Sequence, residues 1–377
     1  MHFLVAPLRT ADQSQPDGAR FLSADDEQSL DRRGTCTVIS ALVAIARTLR
    51  RHASDAVQDV RCLLFAGAMP AEVVTALSEL MRVPVSLESI EFDGNAFDDE
   101  DVRVLALAAR ESTTLRELTI ARNVVGIGAL AMLAHAVCCS RSLTTLCITE
   151  CEPVPELGAA LGGALGTNPV LQSLVVSANS LQSHDALHLA RGLRGNTHLT
   201  LLDLSANDIG GEGIEAICAA LCQNTALTSL DIASSTFGAA TAAALGDLLL
   251  VNTRIRYLDL ADTSVLDTGA AHLARGLSVN TTLEAINLVS CAIGIGGCIA
   301  LADALLVNRG VRLAMLAHNP IGFEGMAGIE RALRGNDGLR RVVMDRGGTG
   351  DDSWMDNHRP VTSDPDDDNW KQPRLPT

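Results

Sequence analysis

Aromatic side chains are scarce in this 377-residue chain, which has two Trp, one Tyr and seven Phe. A core without large rings has to be closed by aliphatic and small residues, as stacked repeats do. Lysine occurs once, at Lys371, so nearly every cation is an arginine. Cations as a class are outnumbered, 29 against 45 acidic residues, for a formal net charge of −16. That sign argues against a diffuse grip on nucleic acid or an anionic membrane surface. Uncharged apolar runs of about 20 residues are absent, so no membrane-spanning helix is expected. Phe3 to Leu8 is apolar, but it is too short for a secretion signal and no basic region precedes it. The ten cysteines (36, 62, 138, 139, 147, 151, 218, 222, 291 and 298) are therefore expected as reduced thiols of a cytoplasmic protein.

What the chain does have is a repeat. The pattern L-x-x-L-x-L, followed three positions on by Asn, Cys, Ser or Thr, recurs every 28 residues without an insertion from Leu87 to Met344. Its clearest copy is Leu199, Leu202, Leu204 and Asn207. Stepping forward gives Leu227, Leu230, Ile232 and Ser235, then Ile255, Leu258, Leu260 and Thr263. The second half of each unit carries apolar residues four apart, such as Leu189/Leu193, Ile217/Leu221 and Leu245/Leu249, the mark of one helical stripe. Asn168, Asn196, Asn224, Asn252, Asn280, Asn308 and Asn336 follow at one phase and are expected to end the helices in the left-handed conformation. Each unit thus reads as a short strand, a loop and a helix. Such a unit cannot bury its apolar face alone, but stacked neighbours can.

This 28-residue unit resembles the leucine-rich repeat of the ribonuclease-inhibitor type, also found in NOD-like receptors and the Ran GTPase-activating protein. The resemblance implies an α/β solenoid, a horseshoe with parallel strands on its concave face and helices on its convex face. It covers residues 59 to 348, with an earlier, poorly patterned strand expected at Cys62 and Leu64. Val38, Leu42, Ile45 and Leu49 make an amphipathic stripe, expected as a capping helix within residues 31–58. Residues 1–30 are polar and patternless. Residues 349–377 are acidic, contain Pro and carry both tryptophans, Trp354 and Trp370. Both ends read as disordered.

Signs of catalysis or metal binding are weak. His184 and His188 have zinc-ligand spacing on an expected helix, but no third ligand stands near them in sequence. Gly126-Ile127-Gly128 and Gly294-Ile295-Gly296-Gly297 lack the Lys-Ser/Thr of a phosphate loop and read as turns into helices. Asp98-Asp99-Glu100-Asp101 opens a helix, where negative charge suits the dipole. No Ser/His/Asp set stands out. The expectation is a protein without catalytic residues, cofactor or metal.

The alternate residues of each strand remain, since they point away from the core. Two features stand out there: a column of carboxylates, Asp203, Asp231 and Asp259, and the sole tyrosine, Tyr257, beside it. Carboxylates stacked one per strand repel unless something uses them. The reading is a module that binds another protein, one with a basic surface, through the strand face. The resemblance also leaves two other readings. One is a GTPase regulator of the Ran-activator kind presenting Arg122; the other is a secreted effector or innate-immune protein acting in a host cytosol.

Overall fold

The computed structural model describes residues 3–4, 62–66, 71–82, 87–125, 132–134, 136, 139–151, 156–236, 238–345 and 352–356. The chain divides into two compact units, Met1–Asn179 and Ser180–Thr377. The expected capping helix at 31–58 lies outside the described residues.

In the first unit, strands β1 (Phe3–Leu4), β2 (Cys62–Ala66), β3 (Ser89–Asp93), β5 (Glu117–Ala121), β7 (Thr145–Thr149) and β8 (Ser173–Val175) form one sheet. All neighbours pair in parallel except β1, which runs antiparallel to β2. A parallel pair, β4 (Ala96–Phe97) and β6 (Val124–Val125), forms beyond the strand ends. The helices of this unit include α1 (Ala71–Arg82), α2 (Asp99–Glu111) and α3 (Leu157–Leu165), and the described residues 132–134 and 136 are helical as well. The second unit alternates α4 (Ser183–Gly195), β9 (Leu201–Asp203), α5 (Gly210–Leu221), β10 (Ser229–Asp231), α6 (Ala239–Val251) and β11 (Tyr257–Asp259). It continues with α7 (Leu266–Leu277), β12 (Ala285–Asn287), α8 (Ile295–Val307), β13 (Leu313–Met315), α9 (Gly322–Gly335) and β14 (Arg341–Asp345). Its strands pair in parallel, each residue opposite the one 28 positions on. A last strand, β15 (Asp352–Asp356), runs antiparallel to β14. The architecture of each unit is an α/β solenoid.

The two-residue alternation puts Leu202, Leu230, Leu258, Ile286 and Ala314 under the sheet, each 2% exposed or less. The helices close the core from the other side through Leu189, Leu193, Ile217, Leu221, Leu245 and Leu249. At about 25 cal/mol per Å2, burying one such side chain stabilises by roughly 1.5–3 kcal/mol, and the repeat multiplies that gain along the stack.

Four expectations need correction. First, the earliest strand pairs Leu63 with Ile90 and Phe65 with Phe92, one residue out of the phase that would place Cys62 and Leu64 there. A one-residue shift exchanges the two faces of a strand, and here it brings the bulkier apolar pair into the register. Second and third, Phe3–Leu4 and Asp352–Asp356, within the segments read as disordered, form strands: β1 covers the edge of β2 and β15 that of β14, while the rest of residues 1–30 and 349–377 lies outside the described residues. An unpaired sheet edge is a template for aggregation, and an antiparallel end strand blunts it. Fourth, the asparagines after the helices are not left-handed. Asn196, Asn252 and Asn308 have φ of −77°, −79° and −63° with extended ψ.

The left-handed position lies elsewhere in the unit, one to three residues after each strand. Gly94, Arg122, Glu150, Ala178, Ala206, Ser234, Asp262, Ser290 and His318 recur every 28 residues with φ between 52° and 62°. The backbone is held there by the next turn of the stack. The Ala206 N–H donates to the Ala233 carbonyl at 2.9 Å, Ser234 to Ala261 at 2.8 Å, and Asp262 to Val289 at 2.9 Å.

Candidate functional site

The second unit aligns Asp203, Asp231 and Asp259 opposite one another on β9, β10 and β11. Asn287 and Met315 extend the same row. Each of these polar side chains first serves its own turn. The Oδ1 of Asp203 accepts from the Ser205 N–H at 2.9 Å and from its hydroxyl at 2.6 Å. Asp231 and Asp259 accept from the N–H groups of Ala233 and Ala261, both at 3.0 Å. Asn287 does the same for Val289 at 3.1 Å. A side chain that caps the backbone two residues on is an Asx-type turn, which fixes the exit of the chain from the strand. The repetition of Asp at this position therefore has a structural cause, and the amide of Asn287 shows that the charge is not part of it.

Exposure separates the three carboxylates. Asp203 and Asp231 are half-buried, whereas Asp259 is only 3% exposed. The column available to a partner thus narrows to Asp203 and Asp231. Tyr257 is half-buried on β11, opposite Ser229 of β10 and diagonal to Asp231. Burial pushes its phenol pKa upward; the Glu284 carboxylate adds to that, while Arg256 and Arg312 oppose it.

The other marked residues have local employment. Asp98 caps α2: its Oδ1 accepts from the Asp101 N–H at 2.8 Å and the Asp101 carboxylate accepts in return at 3.3 Å. His184 stands 3.5 Å from its neighbour Asp185, whose carboxylate closes the start of α4 by accepting from the Gln182 N–H. Among the described residues no group of three or more His, Cys, Asp and Glu is arranged to hold a metal ion. The glycine loop before α8 packs on a carboxylate: the Gly294 N–H donates to Asp267 Oδ1 at 2.6 Å. A negatively charged neighbour is the wrong company for phosphate. Gly126 to Gly128 lie outside the described residues. In the first unit, Arg122 grips Asp93 through two guanidinium nitrogens, so it is already paired.

The cysteines at 139, 147, 151, 218, 222, 291 and 298 are free thiols. Burial pushes Cys218 far above the ordinary thiol value and holds Cys291 and Cys298 at about 11. Thiols so protonated are poor nucleophiles. No described helix is long and apolar enough to cross a membrane.

Comparison with known proteins agrees with the period. A family model described as "Leucine Rich repeat" matches residues 195–218 and 279–302. The two segments start 84 residues apart, three times 28. No curated protein matches the chain. Among solved structures, the actin-binding site 2 of leiomodin-1 is 28% identical, covering 37% of this chain and 80% of its own, at a TM-score of 0.30. Rad7 in its yeast complex with Elc1 is 14% identical over 74% of this chain and 68% of its own, at 0.47. An internalin from Listeria monocytogenes is 16% identical over 82% of this chain and 94% of its own, at 0.43. Strand, left-handed turn and helix recur at one phase, and the two segments that the repeat model matches share that phase, so these segments are similar to leucine-rich repeats.

Proposed function

We propose that the protein is a non-catalytic interaction module whose second unit binds a partner protein through the half-exposed strand face around Asp203, Asp231 and Tyr257. The observation that carries this reading is the in-register stacking of two accessible carboxylates on adjacent strands, about 4.8 Å apart. Their backbone hydrogen bonds hold them in place, so the repulsion between them is tolerated and remains available to a cation. A basic partner surface neutralises both charges and gains from electrostatic steering. Tyr257 offers a rigid, partly apolar ring beside them, the kind of side chain that anchors contacts.

The test follows from Asn287. Asparagine fills the same turn there, so Asp203→Asn with Asp231→Asn removes charge and keeps the cap. Affinity capture from the cytosol of the source cell, followed by affinity measurement on the captured protein, compares this variant and Tyr257→Ala with the parent chain. Binding by the double variant should weaken about tenfold and lose salt dependence. A chain lacking residues 357–377 retains β15 and should bind normally. Loss confined to that truncation would move the site off the strand face.

A further inference from the structure

At the other end of the same strands lies a cleft of about 300 Å3, lined by Thr228, Thr253, Arg254, Arg256, Thr281, Thr282, Glu284, Arg309, Gly310 and Arg312. Four guanidinium groups against one carboxylate leave it at +3, in a chain whose net charge is −16. Thr228 precedes β10, and the rest of the lining comes from the segments between α6 and β11, α7 and β12, and α8 and β13, which the 28-residue period stacks side by side.

The cations are only partly engaged. Arg254 donates its Nε to the Thr225 carbonyl at 2.6 Å, which leaves both terminal nitrogens. Arg256 gives one terminal nitrogen to Glu284 at 2.9 Å. Arg309 gives one to Asn336 Oδ1 at 3.2 Å. Among the described residues the Arg312 guanidinium has no hydrogen-bond or ion-pair partner, and neither do the hydroxyls of Thr253 and Thr281. A concave surface presenting several donors and one acceptor carboxylate is matched to a ligand rich in oxygen acceptors. Guanidinium forks bind such groups with two parallel N–H···O bonds.

We propose that this cleft is an oxyanion-binding site that takes phosphate or clustered carboxylate groups carried on an extended peptide. Two sources can present that chemistry: a segment of the partner protein, or this chain's own Asp364, Asp366, Asp367 and Asp368. The second source is within reach. Strand β15 ends at Asp356 opposite Arg341, at the end of β14 from which the Arg312 and Arg340 positions precede their strands. Asp364 is eight residues beyond Asp356, and that length of extended chain spans at most about 26–29 Å. Four strand spacings, from β15 to β11, amount to about 19 Å.

The site is independent of the carboxylate pair at Asp203 and Asp231, and so is its test. A fluorescent phosphoserine peptide, its unphosphorylated counterpart and inorganic phosphate as competitor are titrated at low salt against the full chain. The same titrations are made on Arg254→Gln with Arg312→Gln, on Arg275→Gln as a control on the helix side, and on a chain with the four tail aspartates changed to asparagine. The phosphopeptide should bind saturably, be displaced by phosphate, and bind the double arginine variant at least about tenfold more weakly. The Arg275 variant should match the parent. Tighter binding by the tail variant would identify the chain's own aspartates as a competing occupant; unchanged binding would assign the site to an external segment. Undiminished binding by the double arginine variant, or no saturable binding by either the parent or the tail variant, would overturn the proposal. Thermal unfolding of each variant confirms that the comparison is between folded chains.

Discussion

The side-chain amide nitrogen of Asn308 lies 2.6 Å from the carbonyl oxygen of Leu277, the last residue of the preceding helix. The same nitrogen donates to the Asn280 carbonyl at 2.7 Å, while Asn308 Oδ1 accepts from the N–H groups of Gly310 and Val311. Helix C-termini leave carbonyls without intrahelical partners, and one asparagine per unit meets those of the unit before it. Asn252, Asn280 and Asn336 repeat the bond to Leu221, Leu249 and Leu305. Because Asn308 is 2% exposed, water cannot substitute. Asn308→Ala strands several buried groups and should cost about 1–3 kcal/mol. The measurement is the urea midpoint of unfolding. An unchanged midpoint would mean the ladder contributes nothing net.

The left-handed turn after each strand makes a prediction of the opposite sign. Ala206 holds φ of 55°, a conformation costing a side-chain-bearing residue about 1–2 kcal/mol. Its side chain is exposed, so little packing is lost on truncation. Ala206→Gly should therefore stabilise by about 0.5–1 kcal/mol once the greater freedom of glycine in the unfolded chain is subtracted. Ala206→Val should destabilise. Thermal midpoints of the two variants moving in the same direction would contradict this account.

These two cases show what a reader of the sequence could and could not see. The period, the strand, the helix and the phase of the asparagines are all visible, because apolar spacing reports which face is buried. The asparagine's role is not visible, since its partners lie 28 and 31 residues earlier and only stacking brings them together. The left-handed position is hidden for a different reason: Arg122, Glu150, Ala178, Ser234 and His318 share no side-chain property, and the conformation is imposed by backbone bonds to the next unit. Asp259 looks equivalent to Asp203 in the pattern, yet exposure divides them. The arginines of the cleft escape notice because they sit in loops, at a phase with no apolar signal. Their one sequence signal is phase: Arg256 and Arg312 stand two 28-residue periods apart.

Close packing between helices sets another test. A Cβ on Gly246 would stand 2.5 Å from the backbone oxygen of His272, which brings α6 and α7 into near contact of their main chains. Gly246→Ala forces those helices apart and should destabilise by about 1–3 kcal/mol. Gly163 in α3 has nothing within 4 Å of its would-be Cβ. There the same substitution should stabilise by about 0.8–1 kcal/mol, the ordinary preference of a helix for alanine. Equal effects at the two sites would show that helix propensity, not helix–helix contact, governs both.

The buried thiols predict a pH dependence. Desolvation is the main cause holding Cys291 and Cys298 at about 11, against an ordinary value of 9.0 in the unfolded chain. Below pH 9 both states keep these protons and the stability is unaffected by them. Between about 9 and 11 the folded chain still binds protons that the unfolded chain has released, so stability falls as pH rises through that window. Cys298→Ala removes one of the two groups, so its unfolding free energy should decline less steeply there, even if it starts lower for loss of packing against the Gly325 position. Tyr257 and the arginines remain in both chains, and their titration cancels in the comparison. Parallel declines in urea unfolding series from pH 8 to 11 would mean that the Cys298 thiol titrates freely, which its complete burial between α8 and α9 forbids.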